Sequence, residues 1–135
     1  GTRISRAVHD PIQATVLAIE TRNSDETIDQ AVFVSCDLVG VRKVVQQKVR
    51  ERVNLQVSDL DPIKIFLSAT HTHTAPALTD AEESDLHPHD FMGSWAYRIP
   101  VSRKDVLRPA DYVDFLAEQI TDAVVKAWKA RKPVT

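Results

Sequence analysis

Between Ala31 and Ala69 the apolar residues change their spacing twice, and that switch restricts the fold more than any other feature of the chain. Ala31-Val32-Phe33-Val34-Ser35-Cys36 is apolar on both alternating sides, the pattern of a central strand. From Val41 the period becomes helical. Val41, Val44, Val45, Val49 and Val53 fall on one face, with Arg42, Lys43, Gln46, Gln47, Arg50 and Glu51 on the other. Asp59-Leu60-Asp61-Pro62 ends that unit, and Ile63 to Ala69 returns to a strand. A strand, a crossover helix and a second strand predict parallel pairing of the two strands.

The flanking segments extend this unit. Ile12 to Thr21 reads as a further strand, rich in β-branched residues. The polar cluster Arg22-Asn23-Ser24-Asp25-Glu26 then predicts a hairpin with an extended tip. At the other end, Val113, Leu116, Ala117, Ile120, Val124, Ala127 and Trp128 form the stripe of a long helix over residues 109–132. Pro109 suits its first turn, Asp111 and Asp114 its positive end, and Lys126, Lys129, Arg131 and Lys132 its negative end. Residues 78–108 show no regular period and predict a long irregular loop, of the kind that serves a function or moves. The expected class is α/β: a mixed sheet with a β-hairpin, a β-α-β crossover and a long C-terminal helix. Residues 1–135 form one domain, and a sheet of three strands is thin enough to suggest part of a larger one.

The net charge of −2 argues against nucleic acid as a partner, because phosphate neutralisation needs a basic surface. No apolar run approaches the roughly 18–20 residues that cross a bilayer. Cys36 is the only cysteine, so a disulfide within the chain is excluded, and its apolar surroundings predict a small core residue.

The chemistry concentrates at the end of the third predicted strand, in Thr70-His71-Thr72-His73-Thr74-Ala75-Pro76. In an extended chain residues two apart point to the same side, so His71 and His73 can converge on one point. Imidazole is the commonest transition-metal ligand, and zinc its usual partner. Two ligands do not complete a catalytic zinc site, which takes three protein groups and a water. Asp37, after the second strand, would lie on the same rim if the strands are parallel. There it could bind the metal, orient a ligand histidine, or cap a loop. His87-Pro88-His89 repeats the spacing within a polar segment that also holds Asp80, Glu82, Glu83 and Asp85, and reads more simply as a loop. His9, before Asp10-Pro11, reads as structural or as a residue of the active-site rim.

Ser68-Ala69-Thr70-His71-Thr72-His73-Thr74-Ala75-Pro76 resembles the [ST]-x-T-H-T-H-[ST]-[GA]-P signature of the neutral/alkaline non-lysosomal ceramidase family. Two further blocks match in order. Val8-His9-Asp10-Pro11-Ile12-Gln13-Ala14 resembles the family's "hDPLYAR" segment, and Val34-Ser35-Cys36-Asp37-Leu38-Val39-Gly40 its "VSxDLxG" segment. The departures are Thr74-Ala75-Pro76 where Ser-Gly-Pro is common, and Gln13 where Tyr is common.

The resemblance implies an amidohydrolase with one zinc ion, acting on a ceramide-like N-acyl lipid. It makes His71 a zinc ligand and places His73 close to the metal and in the reaction. It implies that the remaining ligands (another His, a Glu and a Tyr) come from sequence beyond Thr135, so that the chain is an N-terminal part of the catalytic domain and inactive alone. It further implies a secreted, periplasmic or membrane-associated enzyme that meets a membrane surface through its parent. The large apolar residues Phe91, Met92, Trp95 and Tyr97 of the loop could line a lipid groove or simply anchor the loop. Two other readings stand beside this one: a metal-binding or interaction domain without turnover, and a phosphoesterase-type metallohydrolase. The latter would ask for more Asp and Asn than Asp37 alone supplies.

Overall fold

The computed structural model of the chain describes residues 7–24, 26–76, 78, 107 and 109–134. The elements are strands β1 (Ala14–Asn23) and β2 (Glu26–Cys36), helix α1 (Lys43–Gln56), a single 3-10 turn (Pro62–Lys64), strand β3 (Ile65–Ala69) and helix α2 (Pro109–Lys129). Among the described residues the sheet has three strands in the order β1-β2-β3. β1 pairs antiparallel with β2, and β2 pairs parallel with β3. The chain is therefore an α/β fold with a mixed sheet, as its two changes of period require.

β2 is central because it alone carries the valines of both pairings: Val32 faces Ala18 on one side and Ile65 on the other, and Val34 faces Val16 and Leu67. One sheet face holds Val32, Val34, Cys36 and Ile65, all at most 1% exposed. Against it pack Val45, Val49 and Val53 of α1 and Val113, Leu116, Ala117, Ile120, Val124 and Trp128 of α2. Each fully buried aliphatic side chain contributes about 1.5–3 kcal/mol, so this two-helix cover is what holds the sheet. No described element covers the opposite face. Leu17, Ile19, Phe33 and Phe66 there are each 47–58% exposed. Phe33 and Phe66 stack on one another across β2 and β3, with ring centroids 5.5 Å apart.

The crossover is fixed by short polar contacts. Gln30 of β2 donates from Nε2 to the Asp59 carbonyl (2.6 Å) and accepts at Oε1 from the Asp61 amide (3.0 Å). Asp61 in turn caps the 3-10 turn, its Oδ1 accepting from the Ile63 amide at 3.0 Å. Arg50 of α1 donates from Nη2 to the carbonyls of Ile63 and Ile65, anchoring the start of β3.

The hairpin is longer than its polar tip suggests, since Asn23 still pairs with Glu26. Its last rungs are held by side chains rather than by apolar packing: Glu20 accepts from Arg22 and from Thr27. Helix α2 begins at Pro109 as expected but stops at Lys129, short of residue 132. Beyond it, Arg131 folds back, donating to the Trp128 carbonyl and to Glu20 of β1, and lays its guanidinium over the Trp128 ring. The loop expected over 78–108 lies outside the described residues, apart from Leu78, which is buried in the core, and Leu107, which is exposed. Among the described residues no helix is long and apolar enough to cross a membrane.

Candidate metal centre

The parallel pairing of β2 and β3 ends with Cys36 opposite Ala69. The ladder then runs one step further on each side of β2. The Thr70 amide donates to the Cys36 carbonyl, and the Asp37 amide donates to the Gln13 carbonyl, both at 2.9 Å. Asp37 and the histidine segment therefore leave the sheet at one rim, the carboxyl ends of parallel strands, where α/β sheets gather their ligands.

The Asp37 carboxylate joins the three strand ends. Its Oδ2 accepts from the Gln13 amide at 3.1 Å, and its Oδ1 accepts from the Thr70 hydroxyl at 3.3 Å. Cys36 beside it is buried, and burial pushes its thiol up to about 11, with the Asp37 charge adding to the shift. It remains a protonated core residue near neutrality, as its surroundings in the sequence suggest.

His71 and His73 do come together, though not by the extended geometry that their spacing suggests. His71 has φ 64°, in the left-handed region that non-glycine residues seldom occupy. The chain turns there, directly after β3, and Thr72 and Thr74 close the turn through their hydroxyls at 2.8 Å. The two imidazoles meet edge to face, with centroids 5.1 Å apart and planes at 86°. Both residues are exposed.

One hydrogen bond defines the chemistry of His71. Its Nδ1 lies 2.7 Å from the Val39 carbonyl oxygen. A carbonyl can only accept, so Nδ1 carries the proton and the neutral ring keeps its lone pair at Nε2. Liganding histidines are commonly oriented this way, with one ring nitrogen on a backbone carbonyl and the other on the metal. The ring nitrogens of His73 have no hydrogen-bond partner among the described residues.

The two imidazoles are of the kind that zinc takes as ligands. They do not complete a site. Among the described residues there is no group of three or more His, Cys, Asp and Glu side chains that could hold a metal ion. His87 and His89 lie outside the described residues, as do the acidic residues Asp80, Glu82, Glu83 and Asp85 and the large apolar ones of that segment. His9 is exposed and pairs through Nδ1 with Asp10 at 2.8 Å.

Two contributors escape a reading of side-chain types: the Val39 carbonyl and the Gln13 amide, backbone groups that carry no signature in a sequence. The Thr70 hydroxyl is one of several around the pair, with Ser68, Thr72 and Thr74, that the sequence offers as hydrogen-bonding neighbours.

No protein-family model matches the chain, and neither a curated protein nor a solved structure matches it.

Proposed function

We propose that this chain supplies the first ligands of a zinc-dependent amide hydrolase of the neutral ceramidase type. Its substrate would be a ceramide-like N-acyl lipid, cleaved to a fatty acid and an amine, and the remaining zinc ligands would come from sequence beyond Thr135. One observation carries the reading: two exposed imidazoles stand 5.1 Å apart at a strand-exit rim, and a carbonyl lock leaves Nε2 of one of them bare. The likeness of residues 8–76 to the family's three sequence blocks supports it from an independent direction.

Zinc, when bound, supplies Lewis acidity and brings the pKa of water towards ~7. His71 would hold the ion through Nε2, its ring fixed by the Val39 carbonyl. His73, with no partner on either ring nitrogen among the described residues, is placed to bind, to position a water, or to carry a proton to the leaving amine. Asp37 keeps a candidate place at the same rim, as a metal ligand or as a group that acts through its neighbours.

The test is made in the parent protein. Zinc content and release of fatty acid from an N-acyl sphingoid base are measured together. His71→Ala should lose both. His73→Ala should keep zinc if it acts on the proton, with cleavage reduced about 10²–10⁴-fold. Full cleavage by a zinc-free His71→Ala protein would defeat the reading. A second reading, a metal-binding or interaction domain without turnover, is favoured by the two donors found among the described residues. Stoichiometric zinc in the parent protein with no hydrolysis of any N-acyl amide would select it.

A further inference from the structure

We infer that Asp37 is a positioning residue for His71: its carboxylate clamps the exits of β2 and β3 to the entry of β1 and so holds the His71 ring on the Val39 carbonyl. The inference deepens the proposed zinc site and rests on that reading for its functional meaning. Its geometry stands separately.

The clamp has two arms. Oδ2 takes the Gln13 amide, which belongs to the segment running into β1, and Oδ1 takes the Thr70 hydroxyl at the exit of β3. Asp37 itself belongs to the exit of β2, so one carboxylate fixes three chain segments relative to each other. His71 is bound to this arrangement at both ends. It follows Thr70 directly, and its acceptor, Val39, lies two residues after Asp37. The Thr70 amide bond to the Cys36 carbonyl ties the backbones of the two exits, and if their side chains loosen beyond it, the 2.7 Å bond from Nδ1 to the Val39 carbonyl lengthens. With it goes the reason for the Nδ1–H tautomer, and hence for a lone pair held at Nε2.

Both arms lie at the surface. Water can replace a lost partner for the Gln13 amide and the Thr70 hydroxyl, so removal of the carboxylate loosens the rim without unfolding the core. The carboxylate's charge is not what the clamp needs. An asparagine could accept from the Gln13 amide at Oδ1 and donate from Nδ2 to the Thr70 hydroxyl, which can act as donor or acceptor. A base at this position would not survive that exchange, and a carboxylate metal ligand would be weakened by it. The pair of substitutions therefore separates positioning from direct chemistry.

The experiment is ¹⁵N–¹H correlation spectroscopy of the histidine rings in the metal-free 135-residue chain, above the usual histidine titration range. Asp37→Asn, Asp37→Ala and Thr70→Val are compared with the wild type, and thermal unfolding confirms that each variant is folded. In the wild type His71 should show the Nδ1–H tautomer and a ring-to-ring contact with His73. Asp37→Asn should keep both. Asp37→Ala should show mixed tautomers and lose the contact, and Thr70→Val should move in the same direction. A wild-type signature in Asp37→Ala or in Thr70→Val overturns the inference. So does an Asp37→Asn spectrum that matches Asp37→Ala, because charge rather than hydrogen bonding would then be responsible. Zinc titration of the same samples tests the metal reading on its own, and its failure would leave the tautomer result intact.

Discussion

His71 holds a backbone angle that few side chains accept, and this makes it the most informative single position in the chain. A left-handed conformation costs an L-residue roughly 1–2 kcal/mol, with asparagine and glycine the usual exceptions. The Val39 carbonyl, which takes the Nδ1 proton, offsets part of that cost here. The two contributions separate by substitution. His71→Asn should be folded about as stably as the wild type, since asparagine tolerates the angle. His71→Val should be less stable than His71→Asn by about 1–2 kcal/mol, because a β-branched side chain suffers most at positive φ. Urea unfolding of the two variants checks this, and equal midpoints would mean that the turn re-forms around valine. Cys36 makes a contrasting prediction. Burial raises its thiol to about 11, so alkylation near neutrality should proceed only through unfolding and should speed up in step with denaturant. The histidine pair and the cysteine were both legible as residue types. The positive φ at His71 was not, because no glycine or asparagine marks it. Nor was the carbonyl that sets the tautomer.

At the scale of elements, the end of α2 is tied to the sheet by a cluster centred on Glu20. This carboxylate is 8% exposed, and burial alone would push its pKa up. Hydrogen bonds from Arg22, Thr27 and Arg131, with the Arg131 charge, outweigh burial and bring it down to about 2. Arg131 also lies over the Trp128 ring, and Trp128 donates from Nε1 to Asp59 at 3.2 Å. The sign of the linkage follows from the depressed value. The ionised form is favoured in the folded state, so its contribution is present above the ordinary carboxylate range, near pH 4.5, and is lost as the pH falls towards 2. Glu20→Gln should therefore be less stable than the wild type at neutral pH, and the gap should close between about pH 4.5 and 2. Paired chemical denaturation curves across that range measure it, and a constant gap would assign the effect to packing instead. The helices themselves were readable from the 3.6-residue spacing of Val45, Val49 and Val53 and of Val113, Ile120 and Val124. The full length of the hairpin was not, because its outer rungs pair Arg22 with Thr27 and Asn23 with Glu26, and Arg22, Asn23 and Glu26 resemble a turn when read in one dimension.

At the scale of the whole molecule, the described elements cover the sheet on one face only, and the consequences differ sharply between neighbouring residues. Strands paired in parallel are usually covered on both faces. Here Ile65 is fully buried in the core on the helix side, while Phe66, the next residue along β3, is 48% exposed and touches Phe33 on the other side. The alternation of β3 turns this into a test of one-sidedness. Ile65→Ala should cost about 2–5 kcal/mol, the range for emptying a buried aliphatic position. Phe66→Ala removes a larger side chain yet should cost only about 0.5–1.5 kcal/mol, mainly the stacking with Phe33. The face with Phe33 and Phe66 should also bind a dye such as ANS in the native 135-residue chain, and Phe33→Thr with Phe66→Thr should reduce that binding. Equal penalties at Ile65 and Phe66, with no dye bound, would mean that this face is closed in solution. The two measurements agree only if the core lies on the helix side alone, because burial depth sets the first and exposed apolar area the second.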